Sequence, residues 1–414
     1  MAENEEKKDI LAFMKYLGLV LLLASVNTTM GQRTLIKVNA GSYSRFETVV
    51  EAALSKPLGK SDNYKIVNIE NGSSSAVEQF SDTRILFILP DSLEPQQSAT
   101  YELVRVKPRK PANLPVQVIR SDKGLKIMVN NKNLLYYNTA LVRPPTEFPD
   151  IYSRSGFIHP LYTPAGKILT DDFPKGHAHQ HGIMMAWVNT LYKNQPHDFW
   201  NQHTKTGNVE HLKVESIDKG PVTTRITLWL RHYTNTGEEV LNEKWTMTVY
   251  PFDSYFLFDI RSVQLNSSKD TLYLNKYHYG GMSFRGSRQW NKDDSANYRY
   301  QWHINTDTQA DIKSADGTRA SYVSASGRID GVPGGVTVIG FPSNYNYPQP
   351  IRVHPVMPYW CFAPTALGAF TINPSERLVS TYRYYVHNND PDNNRIQQLN
   401  NDIVHPVEVT VLAK

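Results

Sequence analysis

The stretch VTTRITLWLRHY (222–233) and the stretch EKWTMTVY (243–250) flank a turn built on Asn235-Thr236-Gly237, and both alternate apolar and polar residues with a period of two. Only a strand sends successive side chains to opposite faces, so the pair reads as an antiparallel hairpin with one face buried. The same period recurs in YFLFDIRSVQL (255–265), GVTVIGF (335–341), RLVSTYRYYVHN (377–388) and VEVTVLA (407–413). So many strands must stack as large sheets that bury a face against each other. The expected fold is mainly β, a sandwich of two large antiparallel sheets, with one helix after Pro391 in DNNRIQQLNNDIV.

The chain has 414 residues, which favours a large domain plus a smaller one. Residues 32–112 read as a small β-rich, Ig-like N-terminal domain, with strands in RILFILP (84–90) and TYELVRV (100–106). RFETVVEAAL (45–54) reads as a helix there, with Ser44 as its N-cap. The Pro-rich PRKPANLP (108–115) reads as a linker, and residues 116–414 form the large domain. Residues 1–31 read as a signal peptide, with Met14 as an alternative start. Lys15 precedes the apolar run LGLVLLLASV (17–26), and a small-x-small pattern ends at Gly31. The run is too short to span a bilayer and no later segment is long and apolar enough, so a periplasmic or secreted protein without a membrane span is expected.

Net charge is +5, with lysines and arginines scattered. No block of like charge marks a nucleic-acid surface. The single cysteine, Cys361, lies between Trp360 and Phe362 and reads as a buried, inert thiol. The 24 tyrosines and 7 tryptophans suit β structure and flat ligands.

Six of the 13 histidines (His177, His179, His181, His197, His203, His211) fall between residues 177 and 211. In GHAHQHG (176–182), a strand would put His177, His179 and His181 in one row. Imidazoles so placed can ligate a metal, share protons, or simply bond backbone groups. In HDFWNQH (197–203), Asp198 could orient a histidine, accept a sugar hydroxyl or cap a turn, and Trp200 could stack on a ring or pack a core. In KYHYGGMSFRGSRQW (276–290), His278 and Arg285 flank glycine turns, where an arginine fork suits a carboxylate or vicinal hydroxyls. Arg288 reads better as a surface ion pair. The loop GFPSNYNYPQPIRVHPVMPYW (340–360) offers Asn344, Arg352 and His354.

These residues carry a resemblance. His177-Ala178-His179-Gln180, Asp198-Phe199-Trp200, Gly207 with His211, Gly280-Gly281 with Arg285, Pro342-Ser343-Asn344 and the closing LVSTYRYYVHN follow in order the pattern of a family of secreted bacterial proteins labelled methane oxygenase PmoA. Ala178 replaces the usual proline, and Phe341 stands where a histidine is common, so that histidine's role does not carry over. The resemblance spans about residues 130 to 414. It implies a β-supersandwich similar to galactose mutarotase and a place in bacterial glycan breakdown. Mutarotase-like sites use histidine as acid, a carboxylate as base and arginine as the sugar's holder. Here that inventory is His177 or His179, Asp198 or Glu210, and Arg285.

The first expectation is thus a carbohydrate-active, PmoA-like enzyme using histidine acid–base chemistry on a sugar or oligosaccharide. Its catalytic candidates are His177, His179, Asp198, His211, His278 and Arg285, and its substrate-binding candidates are Trp200, Asn344 and Arg352. That reading requires no cofactor. A metal-binding oxidoreductase, with a transition metal on His177, His179 and His181, is the second. A non-catalytic glycan-binding protein is the third. The oligomeric state is not legible.

Overall fold

A computed structural model describes residues 33–59, 63–107, 114–291, 302–307 and 312–413. The signal-peptide segment and most of the Pro-rich linker lie outside the described residues. Among the described residues the strands form antiparallel sheets of seven, nine, four and eight strands. No helix there is long and apolar enough to cross a membrane.

The eight-stranded sheet contains the hairpin read from the sequence. Thr224–Thr234 pairs with Glu239–Val249. Its turn closes by Gly237 N–H donating to Thr234 O. Along the first strand every second residue is buried, from Thr224 through Ile226, Leu228, Leu230 and His232 to Thr234. Phe256–Asn266, Arg377–Asn388, Val332–Gly340 and Tyr322–Ile329 continue this sheet. The nine-stranded sheet faces it. Leu125, Ile127, Phe157, Ile183, Phe284 and Trp360 of one share a core with Ile226, Leu228, Trp245, Met247, Ile260 and Tyr384 of the other. Alternation in Thr224–Thr234 and Glu239–Val249 points inward, while Ile183–Ala186, Gly281–Arg285 and Tyr359–Phe362 are buried throughout, and the result is a β sandwich.

The seven-stranded sheet has its own core, including Ile36, Val50, Ile66, Phe87 and Tyr101. The chain's closing strand, Glu408–Ala413, pairs here with Thr34–Asn39, at the opposite end of the sequence. Glu78 ties this sheet to the sandwich, accepting from Thr223 N–H at 2.6 Å and Thr223 Oγ1 at 2.7 Å.

RFETVVEAAL is not a helix. Val49–Ala53 is a strand paired with Arg84–Ile88. Val50 and Ala52 are buried and Glu51 is exposed, so the period is two, as the β-branched pair Val49-Val50 favours. Ser44 caps nothing; its hydroxyl donates to Glu94. The expected late helix is present as Asn393–Val404. Asp392 accepts from the N–H groups of Asn394 and Arg395 at its start, and Ile396 and Leu399 are buried.

One charge sits at the centre of the sandwich. Glu243 is fully buried and bonds His232 Nε2 at 2.7 Å, Trp245 Nε1 at 2.6 Å and Ser262 Oγ at 2.5 Å. Burial alone would push its carboxyl up, but the bonds from His232, Ser262 and Trp245 outweigh it and hold it below the ordinary value. Glu243→Ala removes the shared acceptor and leaves three buried donors unmet. Urea unfolding should show a loss of about 3–5 kcal/mol; a loss within about 0.5 kcal/mol would show that the network is dispensable.

Candidate functional site

The histidine stretch is not a strand. Asp171 N–H donates to Arg285 O, Gly182 N–H to Asp171 O, and Arg285 N–H to Gly182 O. These bonds pinch residues 171–182 into a closed excursion from the nine-stranded sheet. Inside it the chain turns, with His177 N–H bonding Pro174 O and Gln180 N–H bonding His177 O. Gly182 ends the turn at φ +28°, where a Cβ would lie 2.0 Å from Ile158 O, so only glycine fits.

The turn separates the three histidines. His181 points inward. Its Nδ1 lies 2.6 Å from Asp172 Oδ1 and its Nε2 3.2 Å from Gln202 Oε1, and its ring packs on Phe157 and Phe173. His177 and His179 face outward, ring centroids 5.7 Å apart. The turn adds partners that a strand would not have reached. His354 stands 5.9 Å from His177, and His203 stands 5.7 Å from His179.

These side chains line two adjoining pockets. The smaller, about 280 Å³, is lined by His177, His179, His203, His278 and His354, with Gln180, Asn201 and Arg352. Trp200, Tyr279 and Tyr359 supply its aromatic part. The larger, about 520 Å³, holds the charges: Glu147, Asp171, Lys175, Arg285 and Arg288. His177 lines both.

The pockets differ in electrostatics. Burial, with His177, His203, His181 and Arg154 nearby, lowers His179 to about 3. Burial, with Arg352, His177 and Arg285 nearby, lowers His354 to about 4. His278 is also lowered, by burial and Arg352. His179, His354 and His278 are therefore neutral imidazoles at neutral pH. In the larger pocket burial raises the Asp171 carboxyl, and Arg285 at 4.0 Å and Arg288 at 3.4 Å offset this only in part.

Of the residues expected from sequence, His177, His179, His278, Trp200 and Arg352 line the smaller pocket, and His177 and Arg285 the larger. Trp200 is fully buried and edge-on to Tyr279 and Tyr359, so it is a floor rather than an open stacking wall. Arg285 is buried and holds the turn from below, donating to Gln180 at 3.1 Å. Five expected residues lie elsewhere. Asp198 spends both oxygens on its own turn, accepting from Trp200 N–H, Asn201 N–H and the Asn201 amide. His211 bonds the Tyr137 hydroxyl, and burial lowers it to about 4. Asn344 clamps the strand at Thr381, accepting from its N–H and donating to its O. His181 is an anchor under the turn. Glu210, the alternative base, pairs with Arg231 on the next strand. Cys361 is buried, and burial pushes its thiol up to about 11.

Sequence reasoning missed Asp171, Asp172, Gln202 and Lys175 entirely. The available signal was the adjacent carboxylate pair a few residues before the histidines. Among the described residues no three His, Cys, Asp or Glu side chains converge as ligands for an ion. His177, His179 and His181 do not form such a set, because His181 is turned away and engaged.

The chain belongs to DUF6807, a family of unknown function whose model matches residues 124–401. No curated protein matches it in sequence. Among solved structures it is similar to the heparan sulfate lyase HepC from Pedobacter heparinus, with 12% identity and a TM-score of 0.32 over 68% of this chain and 36% of the lyase. A galactose mutarotase related enzyme from Lactobacillus acidophilus matches with 10% identity and a TM-score of 0.30, over 66% of this chain and 97% of the enzyme. The alpha-galactosidase from Lactobacillus brevis matches with 10% identity and a TM-score of 0.27, over 85% of this chain and 41% of the galactosidase. Likeness at these scores carries no argument about chemistry.

The lowered imidazoles have a consequence for stability. His179 and His354 sit below the ordinary 6.5 when folded, so each takes up a proton on unfolding at any pH between its folded value and 6.5. Stability is therefore undiminished by them above 6.5 and falls on acidification toward 4. Urea midpoints measured across that range should decline with falling pH, and His179→Gln with His354→Gln should flatten the decline. An unchanged slope in the double variant would contradict this assignment.

Proposed function

We propose that the cleft binds a polyhydroxylated substrate, a sugar, and acts on it by proton transfer through His177. The observation that carries this reading is the position of His177 on both pockets, with neutral imidazoles on one side and a carboxyl–arginine cluster on the other. A neutral imidazole accepts at one nitrogen and donates at the other, which matches a hydroxyl that does the same. His354 is ordered for this role: its Nδ1 accepts from Val356 N–H, so the proton of the neutral ring is on Nε2. Gln180 adds an amide, and half-buried Tyr279, backed by the buried rings of Trp200 and Tyr359, supplies apolar surface of the kind a sugar's C–H face prefers.

The acid–base pairing follows from an imidazole and a carboxyl that line one pocket. Asp171 is raised toward its protonated form and also lines the larger pocket with His177. In the proposed step His177 accepts the proton of the sugar's anomeric hydroxyl while Asp171 gives one to the ring oxygen, so the bond from the anomeric carbon to the ring oxygen breaks and its electron pair takes that proton as the anomeric C=O forms. Arg285 and Arg288 stabilise negative charge that develops between them.

The test is turnover of a panel of mono- and oligosaccharides, followed by mass spectrometry of products. His177→Ala His179→Ala should lower the rate at least about 100-fold while sugar binding falls far less. Unchanged turnover in the double variant would refute the acid–base role. Binding by the wild type with no turnover of any sugar would make the protein a glycan binder instead.

A further inference from the structure

We propose that the substrate is an acidic oligosaccharide: its anionic group, carboxylate or sulfate, sits in the larger pocket against Arg288 and Lys175, while a neighbouring ring occupies the histidine pocket at His177. This rests on the reading of the cleft as a sugar site and adds the substrate's charge and length.

The charge follows from which cations are already engaged. Asp171 lies between Arg285 and Arg288. Arg288 reaches it through Nε alone, at 3.4 Å, and 59% of the Arg288 side chain remains exposed. Among the described residues, the terminal nitrogens of Arg288 and the ammonium of Lys175 make no hydrogen bond or ion pair. Both residues line the larger pocket, and the second carboxylate there, Glu147, is exposed at its rim. The histidine pocket adds Arg352, paired with Asp316 at 2.5 Å, and no carboxylate. A planar guanidinium whose two terminal nitrogens are unused is shaped for a two-oxygen anion, and a lysine beside it adds a second, movable charge.

The length follows from a third pocket. A cavity of about 430 Å³ lies beyond the larger pocket and shares Asp171 and Arg288 with it. Its lining continues through His159, Thr170 and Gln289 to Lys167, which is bonded to Asp330. Three adjoining pockets therefore run from the histidines past Arg288, with His177 shared by the first two and Arg288 by the last two. A single ring has no use for all three; a chain of rings does.

The experiment is a glycan array of neutral, uronate-containing and sulfated oligosaccharides, probed with the full chain as wild type, Lys175→Gln, and Arg288→Gln Lys175→Gln. The wild type should retain acidic oligosaccharides. The double variant should retain them at least about tenfold more weakly, the worth of one charge-assisted hydrogen bond. Lys175→Gln, which disturbs no bond among the described residues, should weaken them in the same direction and guards against a folding defect in the double variant. Whether uronates or sulfates are retained identifies the anion. Retention of neutral glycans only, or acidic retention indifferent to both variants, overturns the proposal. If neutral glycans are also turned over in a His177-dependent manner, the sugar reading survives and only the acidic assignment falls. If no glycan of any class is retained, both fall.

Discussion

The bond between His181 and Asp172, 2.6 Å long beneath the turn, is the constraint on which the cleft depends. A twelve-residue excursion between two central strands of a sheet would ordinarily sample many shapes, at a cost of about 1–2 kcal/mol per residue to fix. Here its two legs are joined at the base by that bond and by the Asp171–Gly182 and Arg285–Gly182 backbone bonds. The other nitrogen of His181 reaches Gln202, whose amide donates to Ser153 O at 2.8 Å. One buried imidazole thus couples the turn to the segment that carries Asn201 and His203. The outward histidines are held in place from below, which is the support that a working site requires.

That anchoring lets the cleft keep two electrostatic characters side by side. Burial, with imidazoles and arginines nearby, makes a proton costly on His179, His354 and His278, so these rings stay neutral and can act as paired donors and acceptors. In the neighbouring pocket burial raises the Asp171 carboxyl, and the two guanidiniums within 4.0 Å offset this only in part. His177 lies on the border between the imidazole-lined pocket and the one that holds Asp171 with Lys175, Arg285 and Arg288. A carboxyl raised by burial in the same pocket as an imidazole is a usual basis of acid–base chemistry.

Much of the fold was legible because strand period is a local property. The alternation in residues 224–234 is reproduced residue by residue in what is buried. RFETVVEAAL misled because Phe46, Val49, Val50 and Leu54 also fit a helical spacing; pairing with Arg84–Ile88 decided the matter, and that contact is not local. The union of Thr34–Asn39 with Glu408–Ala413 had no sequence signal at all. In the site, the clustering of histidine was readable but its geometry was not. The two-residue spacing implies a common face only on a strand, and hydrogen bonds at Pro174 and His177 with Gly176 at φ +78° make a turn instead. Asp198 looked catalytic by its company with Trp200, yet a carboxylate two residues before unpaired N–H groups is as readily a turn cap. Asp171 was overlooked because its importance comes from Arg285 and Arg288, more than a hundred residues away.

The most direct test of the whole arrangement is a crystal structure of the protein soaked with a sugar that it binds. If His177 serves both pockets, the sugar will lie across their border with an oxygen within about 3.2 Å of a His177 ring nitrogen, and His181 will remain on Asp172. A sugar bound elsewhere, or one held in the cleft with His177 out of reach, would contradict it.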